Sequence, residues 1–258
     1  MAALPGMAAT LPSSVSQGGL VVVTVPDIAT ATVNGKTVRV GEDGTLVFAA
    51  GRDEKGPLTL ALAYRDGHRE TTRVAVTPRS WPVERVNGVP QKTVNPPPDI
   101  AARIQREQAE VAAARRRDDD REDFLHGFIW PVQGRISGRF GSQRIFNGTP
   151  KSPHPGMDIA VPEGTPVKAP AAGVVTFAKP DLYLTGGTVL IDHGYGLSSN
   201  FLHLSRLDVK VGQRVQQGDV IGAAGMTGRA TGPHVHWGVN WFEVRLDPLL
   251  LPGIESTN

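Results

Sequence analysis

Five residues in the C-terminal half of the chain carry side chains suited to hydrolytic metal chemistry. His154 and Asp158 lie in His154-Pro-Gly-Met-Asp158, His203 in Phe201-Leu-His203-Leu204, and His234 and His236 in His234-Val-His236. One carboxylate and four imidazoles suffice for a three-ligand metal site with two bases to spare, and catalytic zinc takes three protein ligands while keeping a fourth position open. His234 and His236 sit in Pro233-His-Val-His-Trp-Gly-Val-Asn240, which reads as a strand. Side chains two apart on a strand face the same side, so both rings would enter one cleft. One can hold a metal while its neighbour acts on substrate; two histidines on an exposed strand are the plainer alternative. His154 and Asp158 are four apart, but Pro155 and Gly156 between them oppose a helix. In an extended segment their even separation again places both on one side, and a turn in which Asp158 caps local amides would use the same residues. By the same parity His203 shares a strand face with Phe201 and Ser205, where a packed core histidine is the competing reading. His193, in the glycine-rich turn Ile191-Asp-His-Gly-Tyr-Gly196, reads as structural, and His68 and His126 carry no motif.

The elements that must position these groups are mostly short strands. Thirty glycines and 21 prolines in 258 residues favour strands and turns over long helices. Residues 1–17 are small and polar and are expected to form a disordered leader. From 18 to 80 a small β-sandwich-like domain is expected. Its strand segments are Leu20–Val25, Thr30–Val33, Thr37–Val40, Thr45–Phe48, Leu58–Tyr64 and Thr71–Val76, and Asn34-Gly35 is a hairpin signal. Residues 81–127 read as a proline-rich linker, stiff at Asn95-Pro-Pro-Pro98, followed by one charged helix over Asp99–Asp123. Asp99 could cap that helix, and Arg103/Glu107, Arg106/Glu110 and Arg116/Asp120 could pair one turn apart. Its apolar stripe, Ile104 and Val111, is thin enough to suggest a solvated linker helix. Residues 128–250 return to strands without a crossover helix, which implies an antiparallel β-domain; 251–258 would be a tail. The fold class expected is therefore mostly β.

Composition narrows the functional classes. A formal net charge of +2 is too small to argue for nucleic acid. The absence of cysteine rules out disulfides and thiolate metal sites, so a metal here must be held by nitrogen and oxygen. No run is long and apolar enough for a transmembrane segment. The N-terminus lacks the basic start and apolar stretch of an intact signal peptide. There is no HExxH helix, so the usual glutamate base of helical zinc proteases is missing.

In order and in flanking sequence the motifs resemble the lysostaphin-type (LytM-like) zinc metallopeptidases, which cut peptidoglycan peptides. The resemblance runs from about Trp130 to Pro248. It includes Gly138-Arg-Phe-Gly141 with Arg144, the segment from His154 to Val167, Ala172-Gly-Val-Val175, and Val189-Leu-Ile-Asp-His-Gly194. It continues through Phe201-Leu-His-Leu204, Val211-Gly-Gln-Arg-Val-Gln-Gln-Gly218 and Gly225–Trp237. It implies one zinc ion held by His154, Asp158 and His236, with His203 and His234 flanking the fourth position as catalytic groups, and peptide hydrolysis by metal-activated water. Such enzymes often carry tyrosine where Phe201 stands. A weaker resemblance of the segment Val83–Val94 to proteobacterial members implies a periplasmic or envelope protein whose signal has been removed, acting on D-alanine–diaminopimelate cross-links. Arg144 and Arg229 are candidates to meet a carboxylate of the substrate peptide, against the reading of ordinary surface arginines. The alternatives are a non-catalytic wall-binding or amidase-activating module, a biotinyl or lipoyl carrier domain, and another zinc hydrolase. The oligomeric state, and whether residues 18–78 bind the wall or cover the groove, stay open at this level.

Overall fold

The computed structural model describes residues 11–89 and 91–255. It separates into two units, with the division falling between Arg79 and Ser80. In the first unit the strands are β1 (Ser14–Ser16), β2 (Leu20–Thr24), β3 (Ile28–Val33), β4 (Lys36–Val38), β5 (Thr45–Ala49), β6 (Leu58–Tyr64) and β7 (Arg69–Thr77). Five of them form a sheet in the order β1-β7-β6-β3-β4, while β2 pairs with β5. Alternation explains the core: Leu58, Leu60 and Leu62 of β6 are buried and Thr59 and Ala61 are not. The β3–β4 hairpin turns at Asn34 and Gly35, both with positive φ (50° and 77°), the backbone that a two-residue Asn-Gly turn adopts.

Part of the expected leader is ordered. Ser14–Ser16 pairs in parallel with Ala75–Thr77, and Val15 is buried. The Gln17 amide donates to the Glu54 carbonyl (2.9 Å) and accepts from the Arg79 backbone N–H (2.9 Å). A small, polar composition does not reveal one buried valine or one amide with both ends satisfied. Residues 1–10 of that leader lie outside the described residues.

The second unit opens with β8 (Val83–Val86), α1 (Gln91–Val94) and α2 (Pro98–Arg115). Next come β9 (Arg135–Gly138), β10 (Gln143–Phe146), β11 (Thr149–Pro150), β12 (Met157–Ala160), β13 (Pro166–Lys168), β14 (Gly173–Leu182), β15 (Gly186–Gly194) and β16 (Leu197–Leu204). The last strands are β17 (Arg206–Leu207), β18 (Arg214–Val215), β19 (Val220–Ala223), β20 (His234–Trp241) and β21 (Val244–Leu246). The main sheet runs β18-β14-β15-β16-β20-β12-β9, with β21 also on β20, and every pairing in it is antiparallel. Its centre is buried: all residues of β15 are shielded from solvent, and Trp237, Phe201 and Leu190 are fully enclosed. The parallel exception is β8 against β10, whose connection of more than 50 residues (87–142) is long enough for a crossover.

The segment 81–127 therefore belongs with the second unit and is not a separate linker. Helix α2 ends at Arg115, short of the expected Asp123, and it begins at Pro98 with Pro97 rather than Asp99 at the cap. Proline at the first helical position needs no donor there, and Asp99 instead faces the helix dipole from the first turn. Nor is α2 a solvated strut. Val111 and Ala114 pack on Phe177, Leu182 and Leu190, the Glu107 carboxylate accepts from Tyr183 N–H (2.8 Å), and Lys179 pairs with Glu110 (2.6 Å). Of the three pairs expected along it, Arg103–Glu107 forms (2.6 Å). Beyond Arg115 the charges pair off the helix, locally where Arg121 contacts Asp119 and Asp123, and with distant strands where Arg121 contacts Asp192 and Arg214 contacts Asp123.

Candidate metal centre

Strand register builds the centre. Asp158 of β12 lies directly opposite His236 of β20, and Ala160 opposite His234. His154 sits just before β12, held by its own N–H to the Ser142 carbonyl and by its C=O, which accepts from Gly141 N–H (2.9 Å each). Three ligand atoms converge: His154 Nε2 lies 3.0 Å from His236 Nδ1 and 3.0 Å from Asp158 Oδ1, and His236 Nδ1 lies 2.8 Å from Asp158 Oδ1. Among the described residues this is the group of His, Asp and Glu side chains close enough to hold a metal ion.

The donor set fits a divalent ion of the zinc type. Two imidazoles and one carboxylate are ordinary zinc ligands, and a tetrahedron with arms of about 2.0 Å has edges of about 3.3 Å, slightly longer than those seen. His154 Nδ1–H donates to the Arg139 carbonyl (3.1 Å), which leaves a lone pair on the Nε2 that faces the other two ligands. The backbone makes room for them. A Cβ on Gly138 would lie 2.6 Å from Asp158 Oδ2 and 3.1 Å from the His154 ring, and one on Gly156 would lie 2.7 Å from His236 Nε2.

Electrostatics keep Asp158 charged and His236 neutral, the states a cation wants. Burial alone would raise the Asp158 carboxyl, but the His154 and His236 rings outweigh it and hold the group well below the usual carboxylate range. Burial pushes the His236 imidazole down to about 3, so it is neutral.

His203 and His234 stand beside this triangle with their rings 4.7 Å apart. His203 Nδ1–H donates to the Thr227 carbonyl and His234 Nδ1–H to the Gly232 carbonyl (2.8 Å each), so in both rings Nε2 carries the free lone pair. His234 Nε2 lies 3.8 Å from Asp158 Oδ1. Burial first, and then the neighbouring His234, push the His203 imidazole down to about 4.

The strand parity expected for His203 fails. Between β15 and β16 the register slips, Leu202 and His203 together facing the single residue Thr188 between the pairs Phe201–Val189 and Leu204–Gly187, and His203 takes φ +66°. This bulge breaks the alternation with Phe201 and turns the ring towards His234. Phe201 itself is fully buried opposite Trp237, so its ring belongs to the core. His193 is closed off, its Nδ1–H donating to the Ala172 carbonyl (2.7 Å) and its Nε2 accepting from Ser199 Oγ (2.8 Å).

Neither arginine is an ordinary exposed surface group, since both are partly buried. Arg144 Nη2 donates to Asp158 Oδ2 (2.5 Å), on the opposite side of the carboxylate from the ligand triangle. Arg229 stacks over the Phe146 ring at 4.9 Å, and burial together with Arg144 lowers its pKa. Residues that motif reading missed are the carbonyl groups of Arg139, Thr227 and Gly232, which fix ring tautomers, and Glu84, which contacts both Arg144 (3.5 Å) and the Arg139 N–H (3.1 Å). Gly138-Arg-Phe-Gly141 was a visible signal for the first of these; an isolated Glu84 offered none.

A family model described as "Peptidase family M23" matches residues 152–248. Across nearly its whole length the chain is similar to a solved structure from Pseudomonas aeruginosa assigned to peptidase M23, with 37% identity, 91% of this chain and 93% of that one covered, and a TM-score of 0.70. The chain belongs to peptidase family M23. It is also 44% identical over 111 residues to the peptidoglycan DD-endopeptidase ShyA of Vibrio cholerae, covering 42% of this chain and 26% of that protein. Over 85 residues it is 46% identical to the DD-carboxypeptidase/endopeptidase Mpg of Neisseria meningitidis, covering 33% of this chain and 19% of that protein. These matches thus span about a quarter or less of those relatives' length.

Proposed function

We propose that the chain is a zinc-dependent endopeptidase that hydrolyses peptide cross-links of bacterial peptidoglycan, at D-alanine–diaminopimelate bonds, in the periplasm. The observation that carries this reading is the convergence of His154 Nε2, Asp158 Oδ1 and His236 Nδ1 beside two histidines whose Nε2 atoms are free. ShyA, described as a peptidoglycan DD-endopeptidase, supports the substrate class and with it an envelope location, and Mpg, described as a DD-carboxypeptidase/endopeptidase, supports cleavage of a DD bond. Among the described residues no helix is long and apolar enough to cross a membrane.

His154, Asp158 and His236 would hold one zinc ion, which would supply Lewis acidity towards a carbonyl oxygen or water. The chain's own residues do the rest. With Nδ1–H tied to a carbonyl, His203 and His234 each present Nε2 as the atom that takes a proton from water or returns one to the leaving amine. Thr227 and Gly232 hold those rings in the required tautomer through their backbone oxygens. Arg229, a cation seated on Phe146, suits a carboxylate of the substrate peptide.

The decisive experiment is mass spectrometry of purified peptidoglycan digested by the zinc-loaded protein. Cleaved cross-links should appear with a new carboxyl on D-alanine and a new amine on diaminopimelate. His236→Ala should lose zinc and hydrolysis together, and His234→Ala should lose hydrolysis while keeping zinc. Intact cross-links after prolonged digestion with zinc-loaded protein would remove this reading.

A further inference from the structure

One carboxylate outside the family match reaches two of the three ligands. Glu84 lies on β8, which pairs in parallel with β10, and its register partner there is Arg144. Glu84 Oε2 stands 3.5 Å from Arg144 Nε, while Arg144 Nη2 donates to Asp158 Oδ2 at 2.5 Å. On its other oxygen, Glu84 Oε1 accepts the backbone N–H of Arg139 (3.1 Å), and the carbonyl of that same residue accepts Nδ1–H of His154 (3.1 Å). Asp158 thereby has its two oxygens divided: Oδ1 towards the imidazoles and Oδ2 towards the guanidinium.

We infer that Glu84 and Arg144 are positioning residues for the metal centre: Arg144 confines Asp158 to one-oxygen ligation, and Glu84 braces both Arg144 and the Arg139 peptide that orients His154. The inference rests on the metallopeptidase reading, because it concerns the same ligands. Its physical basis is charge and shape. A carboxylate with both oxygens free can swing to bind through two, which would fill the open coordination position; a charged, forked donor on Oδ2 prevents that rotation. Arg144 is itself enclosed, its side chain 19% exposed, so its charge needs the nearby Glu84 as well as Asp158. The centre also depends on a strand more than 60 residues upstream of the family match at 152–248. Residues 152–248 alone lack both positioning groups.

The test uses the full chain and the variants Arg144→Ala, Arg144→Lys and Glu84→Gln, each checked for folding by circular dichroism. Zinc affinity is read by equilibrium competition with a chromophoric chelator, and ligand geometry by the visible absorption of the cobalt(II)-substituted protein. Arg144→Ala should weaken zinc binding about 10- to 100-fold, the range found when outer partners of metal ligands are removed. Its cobalt bands should lose intensity as the ligand number rises. Arg144→Lys should recover part of the affinity, since it restores charge without the fork. Glu84→Gln, isosteric and the deciding variant if Arg144→Ala does not fold, should weaken zinc in the same direction by less. A parent chain that binds no zinc would overturn the metallopeptidase reading itself. A parent that binds, with Glu84→Gln and every folded Arg144 variant matching it in affinity and cobalt spectrum, would overturn only the positioning roles.

Discussion

His193 on β15 and His203 on β16 lie on neighbouring strands, and burial pushes both imidazoles down to about 4. Their surroundings differ in one respect. His193 uses both ring nitrogens, on Ala172 and Ser199, and packs edge-on to Phe128 (centroids 5.5 Å apart). His203 uses only Nδ1, on Thr227, and a bulge with left-handed backbone turns its other nitrogen towards His234 and Asp158. Burial and a depressed pKa are therefore common to a core histidine and a site histidine. The open nitrogen, with the backbone strain needed to aim it, distinguishes the second.

The largest expected effect separates the two at once. His203→Ala should lower kcat for cross-link hydrolysis by about 10²- to 10⁴-fold, the scale of a general acid–base group, while zinc content stays at the parent's level. His193→Gln should leave kcat per folded molecule within a few-fold of the parent and lower stability instead. Steady-state kinetics with metal analysis checks both, and the contrast breaks if His193→Gln loses turnover as severely as His203→Ala.

The second effect is on stability and has a defined pH window. Unfolded histidine titrates near 6.5 and folded His193 near 4, so between these values the unfolded chain binds the extra proton. Stability from this group is complete above about pH 6.5 and is lost as pH falls through the window towards 4. The gap corresponds to about 3 kcal/mol. His203 shifts in the same direction, so the informative quantity is the difference between parent and variant. Urea unfolding from pH 7 to pH 4 should show a shallower decline for His193→Gln than for the parent; parallel declines would mean that His193 is not buried neutral.

What could be read from the sequence follows a physical divide. Local rules sufficed where geometry is local: Asn34-Gly35 forms its hairpin, and His234 and His236 share β20 with Asp158 opposite. The antiparallel character of the C-terminal sheet followed from the lack of a crossover helix. The rules failed where a distant partner decides. The bulge at His203 depends on how β16 meets β15, and α2 stops at Arg115 short of Arg121 and Asp123, which pair with Asp192 and Arg214. Val15 is ordered because β7 lies beside it. Glu84 reaches the centre through a parallel pairing with β10, nearly 60 residues away, and no spacing rule anticipates that.

The smallest effect tests whether the two histidines are isolated from each other. Ser199 is fully buried on β16, and its hydroxyl donates to His193 Nε2 at 2.8 Å. Ser199→Ala deletes that donor and leaves a buried acceptor unsatisfied. The ring cannot escape by moving its proton, since Nδ1–H is needed by the Ala172 carbonyl at 2.7 Å. The cost should be about 1–3 kcal/mol of unfolding free energy. Zinc affinity and kcat should be unchanged, because nothing in this hydrogen-bonded pair touches the ligand triangle. Denaturant midpoints and chelator competition on the same samples measure both quantities. A Ser199→Ala variant as stable as the parent would show that His193 is not held closed at both nitrogens, and one with weakened zinc would show that the core histidine and the metal centre are coupled through the sheet.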